Sequence, residues 1–175
     1  RPPEHGELLA QRQCIWWAYR EEWPAAETCF AARPEQLIFI QSQGQQAAYA
    51  GRYDEALAWY NLALALDDRA ASVYYWRGQL FAEEEAFALA QADYAQAIRF
   101  ADHQGLDLSW QALFHYQLGR AHVRQQSWRQ ALQSFQTAVT LDDSRPWYFK
   151  ALGDTFLMVG DKSGAQDAYE RAGKK

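Results

Sequence analysis

The sequence predicts an all-α fold of repeated antiparallel helix pairs, and three observations carry that prediction. The first is a repeat: glycine recurs at Gly44, Gly78, Gly119 and Gly153, with spacings of 34, 41 and 34. Alanine keeps the same register at Ala56, Ala90, Ala131 and Ala165, and again at Ala63, Ala97, Ala138 and Ala172. Four places after each alanine of the first set stands an aromatic residue, Tyr60, Tyr94, Phe135 or Tyr169. The second observation is helical periodicity: Ala56, Leu57, Tyr60, Ala63 and Leu64 share one helical face. The third is that Gly and Pro number only 10 and 5 of 175 residues, too few for an all-β chain full of turns. A helix pair of this length cannot bury its apolar face alone, so stacked neighbours supply the core.

Composition narrows the function. The chain is 49% hydrophobic and 22% charged, which marks a folding sequence. A net charge of −5 argues against a nucleic-acid surface and against binding anionic lipid through bulk charge. Apolar runs such as Leu37-Ile38-Phe39-Ile40 are too short to span a bilayer. No signal peptide is legible. The sequence opens on Arg1 rather than Met, which reads as a processed chain or a piece of a longer one.

Taken in order, the chain reads as a single domain, 1–175, of five units. Residues 7–36 form a degenerate unit in which Trp23, Ala26 and Phe30 keep the pattern of a second helix. Pro24 suits the first turn of that helix. Pro34 ends it early, so the step from Ala26 to Ala56 shortens to 30. Repeats follow at 37–70, 71–111, 112–145 and 146–175. The second carries a seven-residue extension, which is two helical turns or about 700° and returns the apolar face nearly to register. Gly105 reads as a helix stop there, and Asp107 or Ser109 as the next cap, with longer flanking helices and a longer loop. Asp67-Asp68 and Asp142-Asp143 recur at the repeat exit, which points to a structural role. Gly44, Ala56 and Ala63 let two helices approach closely, and Tyr60 and Tyr53 are expected to plug the gap to the next repeat. No polar capping helix follows Ala172, although solenoid ends normally need one. Continuation of the chain, a partner or a second copy would cover that end.

These residues carry a family resemblance. Gly51-Arg52-Tyr53-Asp54-Glu55-Ala56-Leu57 through Leu66-Asp67-Asp68, echoed from Ser127-Trp128 to Asp142-Asp143 and from Gly160 to Ala172, resembles the turn, second helix and exit of the tetratricopeptide repeat. Leu152-Gly153-x-x-Phe156 and Leu118-Gly119-x-x-His122 resemble its first-helix signature. His122 and Ala47 depart from that signature, and Asp68, Asp102 and Asp143 stand where the family has an exit proline. The resemblance is clear over 37–172. It implies a right-handed α-solenoid whose first helices line a concave groove for an extended peptide or a partner helix.

On that reading the groove stripe is Gln41, Gln45 and Tyr49, then Tyr75, Gln79 and Glu83, then Leu113, Tyr116, Arg120 and Arg124, and finally Trp147, Lys150 and Asp154, at helical spacing. Tyr75, Tyr116 and Trp147 are the expected anchors, because rigid aromatic rings bury much area for little rotamer entropy. Gln can pair with a peptide backbone, and Arg120, Arg124 and Lys150 suit an acidic side chain or a C-terminal carboxylate. The competing reading is that these side chains are solvated or pack on neighbouring helices. The Lys and Asn set with which some family members clamp chaperone tails is absent, since Gln41, Gln45 and Trp76 occupy the matching places.

Other chemistry finds little support. His115 and His122 are seven residues apart where a zinc pair prefers three or four, and His5 and His103 are isolated, so neither metal nor cofactor is expected. Cys14 and Cys29 read as two buried small hydrophobes, with a disulfide as the alternative in an extracytoplasmic protein. No phosphate loop, nucleophile elbow or supported Cys–His pair is present, which argues against an enzyme. The expected function is a protein-interaction scaffold within a larger chain or complex. The alternatives are a module that self-assembles through its end faces, near Tyr169 and Trp16-Trp17, or a docking domain appended to a membrane or cell-envelope enzyme. A cytoplasmic setting is slightly favoured over an extracytoplasmic one.

Overall fold

The computed structural model describes residues 13–32 and 36–174. The readings placed on Arg1, His5 and Pro34 lie outside those residues. The described residues are helical throughout, joined by short turns. The chain divides into two compact units, Arg1–Val73 and Tyr74–Lys175, each described by itself. Among the described residues no helix is long and apolar enough to cross a membrane.

The first unit contains α1 (residues 13–19), α2 (Trp23–Ala31), α3 (Leu37–Tyr49) and α4 (Tyr53–Leu66). Pro24 occupies the first turn of α2, where its missing N–H has no helical partner to lose. Helix α4 packs against both α3 and α2. Its Trp59 is buried and packs edge-to-face with Trp23 and Tyr19, with ring centroids 5.4 and 6.1 Å away. Gly44 on α3 faces the ring of Tyr60 on α4: a Cβ at Gly44 would fall 2.6 Å from Cε1. Tyr60 thus plugs the gap inside its own helix pair, where the sequence suggested the next repeat. The glycine leaves the space that the ring fills.

Cys14 and Cys29 form a disulfide, with Cα atoms 5.3 Å apart, which corrects their reading as two separate hydrophobes. The reversal between α1 and α2 at Glu21 (φ 60°) sets the two helices side by side, so cysteines fifteen residues apart come face to face. No periodicity in the sequence reveals that meeting.

Helix α5 (Ala71–Glu83) spans the boundary at Val73. The second unit continues with α6 (Phe87–Phe100), α7 (Leu108–Arg124), α8 (Trp128–Leu141), α9 (Pro146–Met158) and α10 (Lys162–Gly173). From α6 onward each helix packs on the next, as stacked antiparallel pairs. Phe135, Tyr148, Phe149 and Leu152 form the core between α8 and α9, with Ala112, Ala131, Ala138 and Ala168 around them. The close approach seen at Gly44 recurs here. Gly78 faces Tyr94, Gly119 faces Phe135 and Gly153 faces Tyr169, each with 2.7–2.9 Å between a notional Cβ and the ring. Behind Gly78, Arg77 donates two hydrogen bonds of 2.7 Å to the buried Asp93 carboxylate.

The turns inside the helix pairs share one design. Glu85, Gln126 and Gly160 adopt positive φ (58°, 58° and 86°), as Gly51 (72°) does in the first unit. The following residue donates back into the helix, Ser127 N to His122 O and Asp161 N to Phe156 O, each at 2.9 Å. This is the left-handed helix stop that satisfies otherwise orphaned carbonyls. These four positions keep the spacings of 34, 41 and 34, yet Glu and Gln fill two of them, so counting glycines does not find the ruler.

The seven-residue extension lengthens one side only. Helix α7 has 17 residues whereas α6 keeps 14. Gly105 makes the stop with φ 66°, and Asp107 caps α7 by accepting from Trp110 N at 3.0 Å. The recurrent exit aspartates act structurally. Asp67 accepts from Arg69 N and Asp142 from Ser144 N, at 3.0 and 2.9 Å.

Candidate functional site

The second unit presents two adjoining cavities along the exposed side of α7. One, of about 360 Å³, lies toward α5 and α6 and includes Gln79, Glu83, Glu85, Phe87 and Tyr94. The other, of about 440 Å³, lies toward α8 and α9 and includes Tyr116, Val123, Trp128, Phe135, Asp154 and Met158. Arg120 and Arg124 line both, so the cavities meet along α7. A third hollow of about 330 Å³, at the start of α7 and α9, is lined by Trp110, Leu113, Arg145, Trp147 and Tyr148 among others. These volumes are in the range of ligand pockets.

The helical register explains why these side chains converge. Tyr116, Arg120 and Arg124 are four residues apart and face one way. Phe114, Gln117 and Ala121 of α7 are buried, and the last two line the cavity toward α5 and α6 beside the arginines. Tyr116 is half-buried, its ring centroid 4.8 Å from Tyr148 and 5.7 Å from Phe135. The guanidinium of Arg120 lies over the Tyr116 ring at 5.9 Å and donates to Gln117 Oε1 at 3.1 Å. Arg124 pairs with Glu85 at 3.2 Å and lies over Phe87 at 4.9 Å.

Tyr75 departs from its expected role as an anchor. It is 5% exposed, with ring centroids of Trp76, Trp110 and Phe114 within 5.8 Å. It supports the wall from behind. Gln79 links it to the cavity, donating to Tyr75 Oη at 3.2 Å and accepting from the Tyr94 hydroxyl at 2.6 Å. Burial holds that Tyr94 hydroxyl protonated, far above the usual phenol range. Burial and then the Asp142 charge push Tyr148 up to about 12. Both phenols therefore act as neutral hydrogen-bonding groups at any physiological pH.

The remaining stripe residues are more scattered. Trp147 is 47% exposed, edge-on to Tyr148, with Arg145 over its ring at 5.3 Å. Lys150 is exposed on α9, and Asp154 accepts from the Tyr169 hydroxyl at 2.6 Å. Gln41, Gln45 and Tyr49 belong to the first unit. There Gln41 accepts from Ser72 Oγ at 2.9 Å, Gln45 is half-buried and Tyr49 is 83% exposed.

Phe87 and Trp128 were not foreseen as wall residues. Each opens a second helix, and with Tyr53 they hold one repeat position, at the same spacings of 34 and 41. That register was the available signal. Among the described residues no three His, Cys, Asp or Glu side chains gather as a metal would require.

A family model described as TPR repeat matches residues 44–84. That match falls on the glycine, turn and second helix whose geometry is set out above. The chain therefore resembles tetratricopeptide-repeat proteins, with the family's repeat matched over residues 44–84. Proteins of this fold generically form grooves that take peptides or helices. No curated protein matches the sequence. Among solved structures, MamA from position 41 to its end, from Desulfovibrio magneticus RS-1, has a TM-score of 0.68 at 20% identity and covers 98% of this chain and 95% of its own. The N-terminal domain of stress-induced protein-1 from C. elegans has a TM-score of 0.65 at 20% identity over 70% of this chain and 95% of its own. The first TPR of Spaghetti (RPAP3), bound to the HSP90 peptide SRMEEVD, has 0.65 at 17% over 72% of this chain and 94% of its own. At these identities the likeness shows the fold alone.

Proposed function

We propose that this protein is an interaction scaffold that holds a peptide segment or helix of a partner protein along α7, in the cavities toward α5 and α9. The observation that carries this reading is the pair Arg120 and Arg124, which line both cavities and so make one trough of them. The fold supports it, and so does the peptide held by the similar Spaghetti domain. The test is capture from source lysate by the wild-type chain and by Arg120→Glu/Lys150→Glu. Both residues are exposed, so the charge reversals leave the packing intact, whereas Tyr116→Ala would remove a ring packed on Phe135 and Tyr148. A partner captured by wild type and lost by the folded double variant supports the trough. Equal capture refutes it.

The Cys14–Cys29 disulfide favours an oxidising compartment, because cytosolic glutathione keeps such thiols reduced. The reading therefore moves from the cytoplasm toward an extracytoplasmic setting. Free thiols in both cysteines of protein isolated from its source under alkylation would reverse it. Self-association through end faces is the second reading, favoured by the half-exposed Trp16 and the exposed Tyr169. Sedimentation showing a monomer at high concentration would remove it.

A further inference from the structure

We propose that the cavity between α7 and α9 receives a bulky apolar side chain of the partner peptide, and that Arg120 pairs with a carboxylate next to that side chain. The inference rests on the trough reading above and names the chemistry of its occupant.

The walls favour an apolar group. Val123, Trp128, Phe135 and Met158 turn carbon and sulfur toward a space of about 440 Å³. Met158 is 57% exposed, and an unbranched thioether at a rim adapts to the shape of what enters. Covering such a surface removes apolar area from water, which favours an apolar occupant.

The charge balance selects the acid. Two guanidinium groups and one carboxylate line this cavity. Asp154 already accepts the Tyr169 hydroxyl at 2.6 Å, and Arg124 already pairs with Glu85 at 3.2 Å. Arg120 donates to the neutral Gln117 amide, and among the described residues it makes no ion pair. Glu83 and Glu85 line only the cavity on the α5 side, so the positive excess falls on the α9 side. Lys150 stands one turn before Asp154 on the same helix, outside the residues that line the cavity. An incoming carboxylate would meet a cation already held over the Tyr116 ring, with half-buried surroundings that weaken screening.

The test pans a random dodecapeptide display library against the full chain. Enriched peptides are then synthesised with fluorescein and titrated by anisotropy. The expected consensus is Phe, Leu, Met or Trp within two residues of Asp or Glu. Affinity should fall about ten-fold or more on Arg120→Glu and on Met158→Glu, and about five-fold when the peptide acid becomes its amide. Both substituted side chains are exposed, and unchanged helical circular dichroism certifies the variants. Peptides that lose binding on Arg120→Glu but lack the apolar–acidic pair overturn this inference and leave the trough standing. Peptides indifferent to both substitutions, or no enrichment at all, overturn the inference and the trough together.

Discussion

Gly44 lies against the face of Tyr60, so closely that a single methyl group on the glycine would sit 2.6 Å from the ring. Tyr60 is buried, so the ring can give way only by disturbing its packed neighbours. Gly44→Ala should therefore destabilise the protein. Overpacking costs about 1–3 kcal/mol, of which the better helix propensity of alanine returns up to about 1 kcal/mol. Chemical denaturation measures the loss. A Tyr60→Leu partner should relieve it, so the double-mutant cycle should show coupling. Additive effects would mean that the ring is not what excludes the methyl group.

Gln126 ends α7 in the left-handed region at φ 58°, which a residue with a Cβ occupies at a cost of about 1–2 kcal/mol. Gln126→Gly should stabilise the protein by about 1 kcal/mol, because Gln126 is exposed and gives up little packing. A shift of the denaturation midpoint to higher denaturant at unchanged slope is the expected result. A destabilised variant would show that the side chain contributes more than its backbone costs.

The Cys14–Cys29 bridge closes a short loop in the first unit. In the chain-entropy account a loop of about 15 residues stabilises by about 3 kcal/mol. Reductant should lower the unfolding midpoint of the wild-type chain and leave Cys14→Ser/Cys29→Ser unchanged. Equal melts with and without reductant would mean that the bridge constrains nothing.

Burial pushes the His115 imidazole below its ordinary value, and burial does the same to His122. The unfolded chain, titrating at about 6.5, then binds more protons than the folded chain below that pH. The stabilising effect of keeping these rings neutral is complete above pH about 6.5 and declines as pH falls toward their folded values. Urea melts at pH 7.5, 6.5 and 5.5 should show the decline, and His115→Gln should flatten it. A variant as pH-sensitive as wild type would assign the effect to other groups.

Much of the fold was legible because repetition amplifies a weak local signal. One glycine facing one aromatic is unremarkable, but four such pairs in one register can only be stacked helices. The candidate site was legible in part. Helical spacing placed Tyr116, Arg120 and Arg124 on one face. It could not tell that Tyr75 turns inward, because a stripe position on a helix says nothing of how close the next helix lies. Phe87 and Trp128 reach the cavities from neighbouring helices, and single-helix periodicity does not report such convergence.

The sequence by itself determined the helix pairs, their register and the aspartates at their exits, since each depends on residues close together along the chain. Only the tertiary structure decided that Cys14 meets Cys29, that Tyr60 plugs its own pair and that Arg120 faces both cavities. Those outcomes depend on distances between separate helices. Such distances are set by the sum of all side-chain volumes packed between them, and no local pattern encodes that sum.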